Sequence, residues 1–352
     1  MPVSIAAATA WEELAERVGA APFERPGWFE AWAEAFGKPL ELVTTEEDGR
    51  LTGVLPYLRT AEGVRSATNP HTPAPGLLAE DEAAARDLAG RLFSLGGRVS
   101  IGYVDTATAA VLRDGARGAG CLALTRPLAY RLFLALGGEW ESFESSLPSR
   151  LVRDVRRRRR KLEELGEVTL EISDGSEPLE ELLAEGFRLE ASGWKASEGT
   201  AIVSAEETQR FYEAIARWSA ERGWLRLFFL RVGGRPIAFQ LALEYGRTHY
   251  FLKGGYDPDD SAYSPGKLLL HATLAHAFER GLRRYELMGD VEPWKLEWTK
   301  RFEERVSLEA YRRTPRGLAE YAVQAYLRPL VRRDPRRRLL APMSDQVAAA
   351  LR

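Results

Sequence analysis

The stretch from Leu225 to Trp298 constrains the fold more than any other part of the chain. It reads as three strands in succession, Leu225–Val232, Arg235–Tyr245 and Thr248–Tyr256, then a helix, then a strand at Arg283–Met288. Tyr263-Ser264-Pro265-Gly266-Lys267 opens the helix. Ser264 suits the N-cap and Pro265 the first helical position. Leu268, Leu269, Leu270, Ala275 and Phe278 carry the helix forward, and Gly281 is placed to end it. A helix start has unpaired N–H groups and a partial positive charge, so it can hold a phosphate. The expectation is that the amides of Gly266, Lys267 and Leu268 do so, with the Lys267 charge beside them.

The unit from Tyr250 to Met288 predicts a right-handed parallel crossover. Such a crossover puts Lys253 to Tyr256, the helix start and the loop after Met288 on one edge of the sheet. Ligands bind beyond strand ends of this kind. Gly254-Gly255 within a strand pattern suggests a bulge or a close ligand. Asp290 and Glu292 are then candidate general bases, since a base needs hydrogen-bond reach to the nucleophile. Glu190, on a helix expected at Leu179–Ala191, is an alternative base or an ordinary surface carboxylate. His71, in the Pro-rich loop from Asn69 to Gly76, suits proton transfer if it faces a cleft, and is otherwise polar surface. Trp194 with Lys195, and Trp294 with Lys295, are candidates to line an acceptor cleft; the plain alternative is a core Trp beside a solvated Lys.

The rest of the chain reads as α/β. Helices are expected at Trp11 to Val18 and Pro26 to Phe36, the second with Trp28, Phe29, Trp32 and Phe36 on one core-facing stripe. Strands at Leu40 to Thr45 and Leu51 to Arg59 meet at the hairpin signal Asp48-Gly49. A helix at Glu82–Ser94, a strand at Arg98–Tyr103, a helix at Thr106–Gly118 and a strand at Cys121–Thr125 follow. One long helix is predicted from Ser145 to Leu165, then a strand at Val168–Ile172 and a helix at Glu206–Arg222. A last strand at Leu308–Arg312, a helix at Leu318–Val331 and a basic tail at Arg332–Arg338 complete the chain. Arg156 to Arg160 with Lys161 form either a solvated helix face or a contact for tRNA, an anionic membrane surface or a polyanionic glycan.

Totals narrow the classes. A formal net charge of −2 argues against a nucleic-acid coat, and the basic runs lack the interleaved aromatics of single-strand binders. Cys121 is the only cysteine, so a disulfide framework or Cys-based zinc site within the chain is ruled out. The four His are scattered without HxH or HxxxH spacing, and no metal site is expected. His271 and His276 are read as structural, and His249 as sharing with Phe251 and Lys253 a strand face that could look into the acceptor site. No G-x-S-x-G nucleophile elbow occurs. No signal peptide or membrane span is read, and a reducing cytoplasm is the expected location.

Arg150 onward, through Gly193-Trp194-Lys195, Arg235-Pro236-Ile237-Ala238, Ser264-Pro265-Gly266-Lys267 and Glu292-Pro293-Trp294-Lys295-Leu296-Glu297-Trp298, resembles the CelD/BcsL-type acetyltransferases. These belong to the GNAT superfamily and are related to the FemAB transferases. The resemblance implies a mixed α/β sheet in two tandem GNAT-like domains, residues 1–135 and 136–311, with 312–352 a basic helical tail. It implies acetyl-CoA or another acyl-CoA as co-substrate and no metal. It places the cofactor at Ser264, Gly266, Lys267 and Leu268, with Lys253, Gly254, Gly255 and Tyr256 at the thioester. The acceptor would be a small molecule or saccharide attacking directly. Two other readings stay open: a FemAB-like aminoacyl-tRNA-dependent transferase, with tRNA as partner, and a non-catalytic binding module. The second is suggested by a phosphate loop in which only Gly266 remains of the usual glycines.

Overall fold

A computed structural model of the chain describes residues 4–192 and 201–327. In order the elements are α1 (Ile5–Val18), α2 (Pro26–Ala35), β1 (Glu41–Glu47), β2 (Arg50–Thr60), β3 (Gly63–Ser66), β4 (Leu78–Ala79), α3 (Glu82–Ser94), β5 (Arg98–Asp105), α4 (Thr106–Gly118), β6 (Cys121–Ala135), α5 (Trp140–Ser146), α6 (Ser149–Glu163), β7 (Val168–Ser173) and α7 (Leu179–Ala191). Then come α8 (Glu206–Ala220), β8 (Leu225–Val232), β9 (Arg235–Tyr245), β10 (Thr248–Tyr256), α9 (Pro265–Glu279), β11 (Arg284–Leu287), α10 (Pro293–Leu296), β12 (Phe302–Arg312) and α11 (Pro315–Ala322). All the strands join one mixed sheet, in the order β1-β2-β3-β5-β12-β6-β11-β10-β9-β8-β7, with β4 on β2. The fold is mixed α/β, as expected.

Most predicted elements form where periodicity placed them. The β1–β2 turn has positive φ at both Asp48 (50°) and Gly49 (74°), which a tight hairpin turn requires. Three expectations are corrected. The long helix from Ser145 is two helices, because Pro148 cannot donate and holds Leu147 extended (φ −69°, ψ 156°). β6 does not stop before Pro127; it runs to Ala135, and its pairing with β12 shifts register between Ala129 and Pro127. Strand prolines are tolerated at such irregularities. The last strand begins at Phe302 rather than Leu308 and lies between β5 and β6, pairing antiparallel with both. β3 and β4 were not predicted. The tail at Arg332–Arg338, like Trp194 and Lys195, lies outside the described residues. Among the described residues no helix is long and apolar enough to cross a membrane.

Three hydrophobic clusters fill the layers. On one face of β8–β10, α7 and α8 pack together with α1 and α2 from the far end of the sequence. The predicted stripe is part of this: Trp28, Phe29 and Trp32 are buried, and Trp28 meets Phe211 edge-on at 5.4 Å. On the opposite face lie α5, α6 and α9. The third cluster joins α3 and α4 to the first half of the sheet and includes Val306, Leu308 and Ala310 of β12.

Arg25 ties the first helices to the second half. It is fully buried, donates to Glu12 at 2.6 Å and to the Ala20 carbonyl at 3.2 Å, and also bonds Glu16 and the Tyr245 hydroxyl. Stranding a buried charge costs ~3–5 kcal/mol, but Glu16 is largely exposed and Glu12 partly so, and Arg25→Met should cost about 2 kcal/mol. Urea denaturation reads this directly; a loss under about 0.5 kcal/mol would show that apolar packing alone docks α1 and α2.

Candidate active site

β10 and β11 run parallel through three pairs, ending at Tyr250 with Glu286. Beyond that point β11 soon ends, while β10 continues to Tyr256 paired only with β9. The two strands therefore open into a V. Leu252 is an extra residue in the β9–β10 ladder, since Phe251 pairs with Ala242 and Lys253 with Leu241. The Asp257 N–H donates to the Ile237 carbonyl at 2.9 Å. Alternation along an antiparallel ladder then turns the main-chain groups of Tyr256 and Gly254 away from β9, toward the V.

The glycines of this wall serve packing. The bulge precedes them, at Leu252, and a Cβ on Gly255 would fall 2.3 Å from the Glu190 Cα. The end of α7 thus rests directly on β10, and the Ser192 hydroxyl donates to the Tyr256 carbonyl at 3.1 Å.

The start of α9 differs in detail from expectation. Ser264 holds a left-handed backbone (φ 50°, ψ 58°), and its side chain makes no capping bond. Its carbonyl instead accepts from the Lys267 N–H at 3.0 Å and the Leu268 N–H at 3.2 Å. Leu268 closes the first regular helical turn, so its amide was never among the orphans of the helix start. Of the three expected donors, only the Gly266 N–H makes no main-chain bond among the described residues. Gly266 faces the V: a Cβ there would stand 3.4 Å from the Tyr256 ring. The Lys267 ammonium is engaged by Glu297 at 2.7 Å and Asp154 at 3.5 Å. Burial opposes ionisation of Asp154, but hydrogen bonds from Arg157 and Arg158, with Lys267 nearby, outweigh it and hold this carboxyl at about 2.

The candidate polar groups fall into two sets. Around Lys253, the His71 Nδ1 lies 3.2 Å from the Tyr212 hydroxyl, and the Lys253 ammonium sits 5.3 Å from the centre of the Tyr212 ring. Glu190 adds its charge to this set, its Oε2 accepting from the Ile202 N–H at 2.8 Å. At 1 % exposure it is no surface carboxylate, because α7 buries it against β10. The second set follows β11. Asp290 is exposed. Glu292 accepts from the Trp294 Nε1 at 2.9 Å, and Trp294 lies 6.1 Å from the Phe251 ring. Lys295 is buried rather than lining a cleft; its ammonium donates to the carbonyls of Met288 and Asp290 at 2.7 and 2.6 Å, pinning the turn after β11. His249 is fully buried between Gln240 and Glu244, so its ring faces no open cleft.

Sequence reasoning missed Glu286 at the apex of the V. A charged residue inside the buried Tyr285-Glu286-Leu287-Met288 strand was the available signal, since carboxylates are almost never fully buried unless paired. A pocket of ≈ 190 Å³ opens beside it, also lined by Tyr250, Arg131 and Tyr103. No cluster of metal-ligating side chains occurs among the described residues.

The geometry now has counterparts in known proteins. Residues 149–296 match the profile of an acetyltransferase (GNAT) domain. No protein of curated function matches the chain. The solved structure of FemX aligns over 89 % of this chain and 97 % of its own at 13 % identity, TM-score 0.63. The C-terminal domain of a putative lysylphosphatidylglycerol synthetase from Agrobacterium fabrum aligns over 90 % and 96 % at 14 % identity, TM-score 0.57. A conserved protein of unknown function from Bacteroides thetaiotaomicron aligns over 81 % and 90 % at 12 % identity, TM-score 0.55. At such identities these structures share the fold. The match to an acetyltransferase (GNAT) domain is confined to residues 149–296 of the chain.

His71 gives the site a pH signature. Burial, and then the Lys253 charge, lower its pKa from 6.5 to about 4. Between those values the unfolded chain binds more protons than the folded one, so stability present above pH 6.5 is lost as pH falls toward 4. His71→Gln should flatten this decline relative to wild type. Urea midpoints at pH 7, 5.5 and 4.5 measure it; parallel curves for the two proteins would refute it.

Proposed function

We propose that the chain is an acyl-CoA-dependent N- or O-acyltransferase of the CelD/BcsL type, built from two tandem GNAT-like units. The observation carrying this reading is the V between β10 and β11, with the Gly266 amide beside Tyr256 at its open end. Main-chain groups of Lys253 to Tyr256 that face the V suit the thioester carbonyl, whose oxygen gains charge during attack. Gly266 suits the pyrophosphate, with Ser264, Lys267 and Leu268 shaping the turn that presents it. The acyl-CoA supplies the activated acyl group. The chain's own work is to place an acceptor amine or hydroxyl at the carbonyl, exclude water and receive the acceptor's proton. Asp290 and Glu292 stand after β11 for that last role, with Glu190 and His71 on the Lys253 side. Attack is direct: Cys121 is buried at the far end of β6, away from the V, so no side-chain acyl intermediate is invoked.

The aminoacyl-tRNA alternative turns on α6, where part of the basic run is paired. Arg156 pairs with Glu144, Arg157 and Arg158 with Asp154, and Arg159 with Glu163. Arg150, Arg153, Arg160 and Lys161 make no ion pair among the described residues, so α6 keeps a positive face and contact with tRNA or a membrane surface stays as a second reading. The acceptor is proposed to be a small molecule or saccharide, and the working compartment the cytoplasm.

Acetyl-CoA titration calorimetry tests the donor. Gly266→Asp, which sets a negative charge at the one open amide, should weaken binding at least ten-fold, ~1.4 kcal/mol. Gly266→Ala should bind nearly as wild type. Equal affinity for all three proteins would remove the assigned site, and no binding by wild type would leave the non-catalytic module.

A further inference from the structure

Two polar side-chain atoms on residues lining the ≈ 190 Å³ pocket have no partner among the described residues. Glu286 is 3 % exposed; its Oε1 accepts from the Arg284 Nε at 2.6 Å, while its Oε2 is buried with no partner among the described residues. Arg305 reaches in from β12. Its Nη2 donates to Glu303 at 2.9 Å, while its Nε is buried and equally without a partner among the described residues. Arg131, from β6, lies 5.2 Å from the centre of the Phe23 ring and donates to the Pro73 carbonyl at 3.3 Å, with no acidic group in ion-pair contact among the described residues. An unpartnered buried acceptor and an unpartnered buried donor thus belong to side chains that line one cavity. Buried polar atoms are normally paired, and exceptions of this kind point to a missing guest.

We propose that this pocket binds the acyl acceptor, and that the acceptor is a small zwitterion of the amino-acid kind: a primary amine on Glu286 and an anionic group on Arg131 and Arg305. The inference rests on the transferase reading and adds the substrate class. Position supports it. Glu286 and Tyr250 form the last pair before β10 and β11 part, so an amine on Glu286 sits at the apex of the V. Charge balance supports it, since Glu24, Asp105 and Glu286 face Arg131, Arg284 and Arg305 around the lining, which favours a guest of no net charge. Size agrees: a cavity of about 150 Å³ takes a benzene ring, so one compact molecule fills this one. Tyr103, also on the lining, is a non-glycine residue in a left-handed backbone (φ 58°), and strain of this kind gathers at binding sites. The negative charge of Asp290 reaches Tyr103, which links the pocket to the loop after β11.

The chemistry balances. The arriving ammonium gives one proton to Glu286 Oε2, which in this reading takes the base's role in place of Asp290, Glu292, Glu190 and His71. The freed lone pair forms the N–C bond as the C–S bond breaks, and the sulfur leaves as a thiolate that takes the second proton. Burial raises the Glu286 carboxyl, with Arg131 and Arg284 opposing, which favours its taking a proton.

The test is a thermal-shift screen of the full chain with the twenty common amino acids at millimolar concentration, each alongside its N-acetyl and methyl-ester forms. At least one amino acid should raise the midpoint while its two blocked forms do not. Glu286→Gln and Arg305→Met should each weaken that amino acid at least ten-fold by calorimetry; the two variants lie on different strands, so loss of fold in one leaves the other as a test. No shift with any amino acid, as for a pocket holding only water, overturns the proposal, as does equal binding of the blocked forms. Acetyl-CoA titrated into the same protein separates the failures. If acetyl-CoA binds and no amino acid does, the pocket assignment falls and the transferase reading stands; the reverse result keeps the pocket and removes the acyl-CoA reading.

Discussion

The parting of β10 from β11 after Tyr250 and Glu286 is the constraint on which the rest of the site depends. A parallel pair requires a crossover, and α9 supplies it, which brings the helix start back to the open end. β10 must then hold its shape with one neighbour missing. β9 supports it along its whole length on the other side. The end of α7 braces it at Gly255, where nothing larger than hydrogen fits against Glu190. On the other arm, the buried Lys295 ammonium fixes the turn after β11 by two carbonyls. The V is held open by main-chain pairing and packing, and the polar side chains are arranged around it.

Much of this was legible in the sequence. The β8–β10 strands and the helix starts at Glu82, Thr106 and Leu179 follow from periodicity and turn residues, which act locally. What was hidden is non-local. No local pattern says that β12 lies between β5 and β6, or that α1 and α2 cover the second half of the sheet. Pro127 looked like a strand end because its tolerance depends on a register shift against β12. Among the candidate residues, Asp290 and Gly266 could be placed by topology alone. The burial of Glu190 and the inward turn of Lys295 depend on what packs over them. Glu286 stayed hidden because a charge within a short apolar strand reads as noise until the first half of the chain closes over it.

Charge placement separates surface from site. The Arg-rich α6 looks like an interaction face in the sequence, yet Arg156 to Arg159 each find a carboxylate. Such exposed pairs add little stability. Lys267 is likewise held in a bridge between Asp154 of α6 and Glu297, the residue before Trp298. Around Glu286 and Arg305 the pattern is reversed, with buried atoms facing a cavity without internal partners. There the fold spends stability, which is how function-bearing sites tend to depart from otherwise consistent sequences.

The seat of β12 bears on how the chain is made. Its eleven residues come from the end of the described chain but fill the gap between β5 and β6, elements encoded far upstream. While a ribosome is still synthesising the middle of the protein, that gap has two bare strand edges with main-chain groups that can recruit any extended segment. Closure of the early half is therefore deferred until β12 has been synthesised, and nascent molecules pass through a stage in which chaperone protection has a definite physical target.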